Sequence, residues 1–334
     1  MKKKIINECV VAGYLYQLCN AEGKQPLALK TVQNQQSENY GQEFINGTVA
    51  VVVDNEGMNV IEVHYSYVTP MTKQNKPNPT FNALKQLLTE GKTYLEHGTE
   101  ATKVKLQPSL DLNDFVNRDN EITSAKRLEG GFASIVSVLP AESERNTFAA
   151  DMLISRVTYR EADPVKGIME DYCQVGGAIF NFRGALLPVE FVIKLPAGMD
   201  YFQSLEVSNS NLAFTKVWGR INSITNVVTK TEASAFGEPS VKTYTNKIRE
   251  YLIEGANPDC YEMDTPDTIT FAEIEKAQQD REVHLAEVRK KDEEYKASQT
   301  AAPASTSGFA APSTAAPASK PATFTVPSGT DFKF

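Results

Sequence analysis

An order of elements that occurs twice along the chain constrains its fold more than any other feature. In the first half, short alternating apolar runs bounded by turn-forming residues stand at 9–16, 27–32, 44–53 and 59–68. A helical pattern of Phe81, Leu84, Leu87 and Leu88 stops at Gly91, and further strands are expected near 102–110 and 132–139. The second half has runs at 147–158, 173–182 and 186–195, a short helix at 198–206, and strands at 213–225 and 241–253. With the short run at 27–32 counted apart, both halves read β-β-β-α-β-β. Local parallels support the duplication: Phe44-Ile45-Asn46-Gly47 matches Cys173-Gln174-Val175-Gly176, and Thr102-Lys103-Val104 matches Thr215-Lys216-Val217. The repeating unit is a whole supersecondary structure, not the short period of a solenoid.

Five strands with one helix between the third and fourth is the order of the OB fold, a small, partly open Greek-key barrel. Gly13 fits a strongly bent first strand, where a missing Cβ relieves crowding. Another small β-barrel or sandwich stays open as the alternative. The expected fold class is therefore mainly β: two tandem OB-fold-like five-stranded barrels, a C-terminal helix and a disordered tail. The expected boundaries are 1–140 and 141–256 for the barrels, 257–297 for an acidic connector and charged amphipathic helix, and 298–334 for the tail.

The helix is read from Phe271, Ile274, Ala277, Leu285, Val288 and Tyr295, which share one helical face, with Thr270 and Glu273 placed as a capping box. It either docks on the body or pairs with a second chain. Beyond it the chain is dominated by Ala, Pro, Ser and Thr, too poor in apolar area to offset its ordering entropy. It ends in Asp331-Phe332-Lys333-Phe334, a candidate peptide hook for partner proteins.

The chain has 334 residues, with 34 Lys and Arg against 42 Asp and Glu, a net charge of −8. That argues against coating duplex DNA by bulk charge, but leaves room for a local basic groove. The acidic excess lies in 250–275, which contain no Lys or Arg and read as a solvated connector that repels DNA from one face. Cys9, Cys19, Cys173 and Cys260 share no metal-ligand or redox spacing, so reduced thiols are expected. The start of the chain lacks the apolar run of a signal peptide, and no stretch approaches a membrane span. A cytoplasmic protein with no membrane partner is expected.

Enzymatic constellations are missing from the sequence. His64, His97 and His284 have no zinc-type spacing, and neither a P-loop nor a nucleophile elbow occurs. Asp111 and Asp114 read as turn formers rather than a catalytic pair. No catalytic residue, metal or cofactor is expected.

Single-stranded nucleic acid needs cations for its backbone and rings for its bases, and pairings of the two recur here. In 214–222, alternate residues share a face. Phe214, Lys216, Trp218 and Arg220 lie opposite Thr215, Val217, Gly219 and Ile221, which suit a core. The competing reading buries Trp218 against the C-terminal helix. Tyr65 and Tyr67 end a strand ahead of Lys73 and Lys76 in a Pro-rich loop, although both tyrosines share parity with Ile61 and Val63, so at least one suits the core. Lys103 and Lys105 alternate with Val104 and Leu106 as an outward basic pair. Lys126 and Arg127 precede Gly130-Gly131 and are placed to contact phosphate. Arg156 and Arg160 fall on one strand face, and Phe182 and Arg183 end another strand.

Residues 215–223, Thr-Lys-Val-Trp-Gly-Arg-Ile-Asn-Ser, together with the tail, give the chain a form that resembles bacteriophage-type single-stranded DNA-binding proteins. The resemblance implies OB domains that bind and protect single-stranded DNA without sequence preference during replication, recombination or repair. It also implies recruitment of replication or recombination proteins through Asp331, Phe332 and Phe334. Two OB units per chain imply a monomer or low homo-oligomer. The alternative, from another class, is a β-rich virion or assembly protein that binds other proteins through its barrels and helix.

Overall fold

The structure, a computed structural model, describes residues 5–18, 26–163, 168–208, 210–232, 240–265 and 268–300. The expected disorder of the tail, and the tip residues Asp331, Phe332 and Phe334, lie outside the described residues.

The first half contains β1 (Asn7–Leu15), β2 (Leu27–Thr31), β3 (Glu43–Val52) and β4 (Val60–Val68), then α1 (Pro79–Glu90), a four-residue α2 (Tyr94–His97), β5 (Lys103–Val116) and β6 (Ile122–Ile135). Strand β4 shows the physical pattern plainly. Ile61, Val63 and Tyr65 are buried, while Glu62, His64 and Ser66 point away from them. Helix α1 starts at Pro79 behind Asn78, whose side chain accepts the Thr80 amide, and it buries Phe81, Leu84 and Leu87.

Hydrogen-bonded pairing runs β1–β5–β6–β4–β3 and returns to β1, because Tyr14 and Leu15 also face Val52 and Val51. Gly13 makes that return possible. A Cβ there would lie 1.8 Å from the Val52 carbonyl oxygen. Strand β2, the short run at 27–32, hangs on the outside, paired to β3 alone, so the circuit has five strands and this half six.

The second half contains β7 (Asn146–Arg160), β8 (Tyr172–Phe180), β9 (Leu186–Ile193), α3 (Pro196–Ser204), β10 (Ala213–Glu232) and β11 (Ser240–Ala256). Its pairing runs β7–β8–β9–β11–β10 and returns to β7. Each half thus forms a circuit of five strands, with its helix between the third and fourth members. The β9–β11 and β4–β6 steps are parallel and the rest antiparallel. The halves are fused by β1 and β7, where Asn7–Val11 pair with Asn146–Ala150, so all the strands belong to one mainly β sheet.

Two expectations are corrected here. Asp111 and Asp114, read as turn formers, instead lie within β5, which continues with β6 as a long ribbon whose turn is at 117–121. The acidic connector is not a solvated spacer. The Tyr261 amide donates to the Phe214 carbonyl at 2.7 Å, its hydroxyl donates to buried Asp151, and Ile269 is buried.

Helix α4 (Phe271–Thr300) follows, with the expected capping box between Thr270 and Glu273. It docks on both halves. Ile274 and Ala277 join Leu153, Ala178, Phe180, Leu186 and Phe214 in a second apolar cluster. Further along, Arg281 donates two 2.6 Å bonds to the buried Asp114 carboxylate, and Arg281 also reaches Ser124. His284 lies 3.1 Å from Asp114, and Lys296 reaches Asn120 at the ribbon turn. Among the described residues no helix is long and apolar enough to cross a membrane.

Burial opposes ionisation of Asp114, but the hydrogen bonds from Arg281 and Ser124 outweigh it and hold the carboxyl below its ordinary value of 3.8. A carboxyl with a depressed folded-state pKa adds stability that is complete above the unfolded value and vanishes as pH falls through the folded one. Docking of α4 is therefore expected to be full at neutral pH and to loosen below about pH 4. Asp114→Ala, which leaves Arg281 without its buried partner, is expected to cost about 3–5 kcal/mol at pH 7. Hydrogen-exchange protection of residues 278–296 checks both; protection unchanged in the variant would contradict the anchoring role.

Candidate nucleic-acid interface

The strands that share the seam between the two circuits carry a connected string of polar groups. On the second half, Arg160 on β7 donates to Gln174 on β8 at 3.0 Å, and Gln174 donates to Glu190 on β9 at 2.9 Å. Arg156 donates to the other Glu190 oxygen at 2.9 Å, lying across Gly176. From the first half, Lys126 on β6 reaches over and donates to the Glu190 carbonyl at 2.8 Å. Next in sequence, Arg127 pairs with Glu129 at 3.1 Å and donates to Asn113. Ser66 on β4 donates to Glu129, Asn46 on β3 donates to the Ser66 carbonyl, and Lys30 on β2 donates to Asn46 at 2.8 Å. The string thus consists of two runs, Lys30 to Arg127 and Lys126 to Arg156 and Arg160, which meet at consecutive residues of β6 and have one carboxylate each, Glu129 and Glu190. Beside Lys30 in register stands Phe44, whose ring packs on half-exposed Tyr67 at 4.7 Å.

Where the string crosses the seam it borders a cleft of about 320 Å³. Ile61, Leu128, Ile221 and Tyr251 form apolar walls, while Thr48, His64, Asn113 and Asn222 supply polar edges. Lys126, Arg127 and Arg249 add positive charge. The seam is pinned by the Ser223 amide donating to Asn59 at 2.9 Å and by Arg249 paired with Glu62 at 2.7 Å. Lys126 lies 5.4 Å from the centre of the Tyr251 ring. Burial pulls its ammonium below 10.5, partly opposed by Glu190. His64 is held below 6.5 chiefly by burial, with Glu129 opposing and Arg127 and Lys30 adding, which favours the neutral imidazole.

The residues singled out from sequence do not form one surface. Arg156 meets Lys126 through Glu190, and Arg127 stands next to Lys126 in sequence. Trp218 is 40 % exposed and rests on Gly255 of β11, not on the C-terminal helix. It pairs with Ala149, seven residues along β7 from Arg156, or roughly 23 Å. Arg220 is beside it, paired with Glu254 at 2.9 Å, and Lys216 is partly exposed. Phe214 is a correction. It does lie on the face opposite Val217 and Ile221, but that face is covered by Tyr261, Ile269 and α4, and the ring is buried. Tyr65 is likewise corrected: it is wholly buried with Ile61 and Val63. Lys73 and Lys76 are exposed on a turn closed by the Thr72 amide donating to the Lys76 carbonyl. Lys103 and Lys105 are partly exposed, with Lys103 reaching the Ser137 carbonyl. Phe182, 81 % exposed, carries the Arg183 guanidinium over its ring at 5.1 Å on the β8–β9 turn.

Sequence reasoning missed Lys30, His64 and Arg249 as members of the site. Arg249 meets Glu62 across 187 positions, and no local pattern signals that. Lys30 lies on the short extra strand whose pairing to β3 alone sets its position.

The chain belongs to the YorF family, whose model matches residues 23–291. No curated protein matches it. Among solved structures, it is similar to a deletion mutant of the single-stranded DNA-binding protein from Thermus aquaticus, with a TM-score of 0.43 and 10% identity over 78% of this chain and 97% of that chain.

The single Trp offers a direct check of the surface geometry. A Cβ on Gly255 would meet the indole at 2.5 Å, so Gly255→Val is expected to lift the ring into water and shift its emission to the red. An unchanged spectrum in a folded variant would show that the indole does not rest there.

Proposed function

We propose that the protein binds single-stranded DNA without sequence preference, along the string from Lys30 to Arg160. The observation that carries this reading is that two hydrogen-bonded runs of cations, Lys30 to Arg127 on one half and Lys126 to Arg160 across the seam, meet at consecutive residues of β6. A strand of phosphates needs such a line, and bases need rings beside it; the Phe44–Tyr67 pair beside Lys30 supplies them at one end. A duplex binder relies on a broader positive field, which a chain of net charge −8 with carboxylates inside its own track does not offer. We further infer that each five-strand circuit is an OB-type barrel. The return of the fourth strand to the first, the parallel step and the helix position all agree with that order. A role in protecting strands during phage replication, recombination or repair follows from the resemblance carried by residues 215–223.

Fluorescence anisotropy with oligo-dT over a salt series tests the proposal. With about five phosphates neutralised, the log–log slope is expected near −3.5, and Arg160→Ala is expected to reduce it by about 0.7. Glu190→Gln, which keeps one of the two bonds the carboxylate accepts and removes the competing charge, is expected to tighten binding about two- to fivefold at low salt. Equal affinity for duplex, or an affinity indifferent to salt, would overturn the proposal and favour a protein partner on these surfaces.

A further inference from the structure

We propose that the cleft at the seam is a pocket for one nucleotide, which takes a single base of the bound strand out of the line of phosphates. This rests on the strand-binding reading above and goes further by naming a discrete site within it. The cleft's volume, about 320 Å³, lies at the lower end of the range of roughly 300–1,000 Å³ found for small-molecule sites. Its chemistry excludes simpler occupants. A free anion would use the cations but leave the Tyr251, Ile221 and Leu128 walls facing water. A purely apolar ligand would strip water from Asn113, Asn222 and His64 without replacing it. A nucleotide satisfies all three parts: flat apolar faces against the walls, a donor and acceptor edge toward the amides, and a phosphate toward Lys126 and Arg127.

The amides and imidazole suit an edge of mixed polarity. Asn113 and Asn222 each carry both a donor and an acceptor, and a neutral His64 does too. Asn113 and Asn222 are already oriented by Arg127 and Glu250 respectively. The pocket is assembled from β3, β4, β5, β6, β10 and β11, so neither half contains it alone. Occupation therefore favours the seam in its closed arrangement.

The full chain is titrated with two probes: oligo-dT by anisotropy, and thymidine monophosphate by NMR shift changes. Wild type is expected to bind the mononucleotide saturably, without displacement by inorganic phosphate at equal concentration. Ala125→Trp fills the cleft from an exposed position on its rim. It is expected to abolish mononucleotide binding and weaken oligo-dT about fivefold or more. Asn113→Leu, which removes one polar edge at similar volume, carries the same expectation should the tryptophan prevent folding. Displacement by phosphate, or a folded variant that binds both probes as wild type does, overturns the pocket while oligo-dT binding stands. A wild-type chain that binds the mononucleotide but not oligo-dT overturns the strand-binding reading and supports the pocket.

Discussion

The pairing of Asn7–Val11 with Asn146–Ala150 is the constraint on which the rest of the molecule depends. Two circuits of strands joined only by a linker would take many relative positions. Here the first strand of one circuit is hydrogen-bonded to the first strand of the other, and buried Asn146 also donates its side chain to the Ile221 carbonyl. The seam then has a fixed shape, and groups from both halves meet in it. Lys126 reaches Glu190, Arg249 meets Glu62, and Asn59 accepts the Ser223 amide. Each of these contacts would cost more ordering entropy than it returns if the two halves were free.

The charge arrangement follows from the same seam. Lys126 is desolvated by its position between the halves, and an isolated ammonium there would be costly. The Glu190 carbonyl and the Tyr251 ring offset that cost without cancelling the charge. Glu190 and Glu129 do more than neutralise. They hold Arg156 and Arg127 in place, so less rotamer entropy remains to be lost when an anion arrives. A cation fixed by a carboxylate is weaker toward phosphate than a bare one but is already oriented.

Much of the fold was legible in sequence because it rests on local signals. The helix between the third and fourth strands announces itself through Phe81, Leu84 and Leu87, and the capping box at Thr270 and Glu273 forms as written. Legibility failed where distant segments decide. Strand parity placed Phe214 on the correct face, but whether that face meets water is decided by Ile269, Ile274 and Ala277, more than fifty residues later. The stretch from Asp111 to Gly131 is rich in turn-forming residues, yet it continues as ribbon because Asp114 pairs with Ser124 in register and its carboxylate is taken by Arg281. An aspartate bound by a helix far along the chain looks, locally, like an aspartate in a turn. The cations were recognised as a class, but their order along the string depends on cross-strand register and the seam, neither of which has a short-range signature.

The ribbon ties the C-terminal helix to the string. Lys126 and Arg127 face Leu112 and Asp111 across the β5–β6 ladder, and Ser124 faces Asp114 only a step or two further on. The clamp that holds α4 therefore sits about 7 Å along the strand from the cation that crosses the seam. A two-stranded ribbon transmits displacement along its length, because its hydrogen-bonded register leaves few independent torsions. Where a ligand on the string shifts the ribbon, linkage requires that it change the strength of the helix contact, and a partner that lifts the helix would then change the affinity of the string by the same free energy.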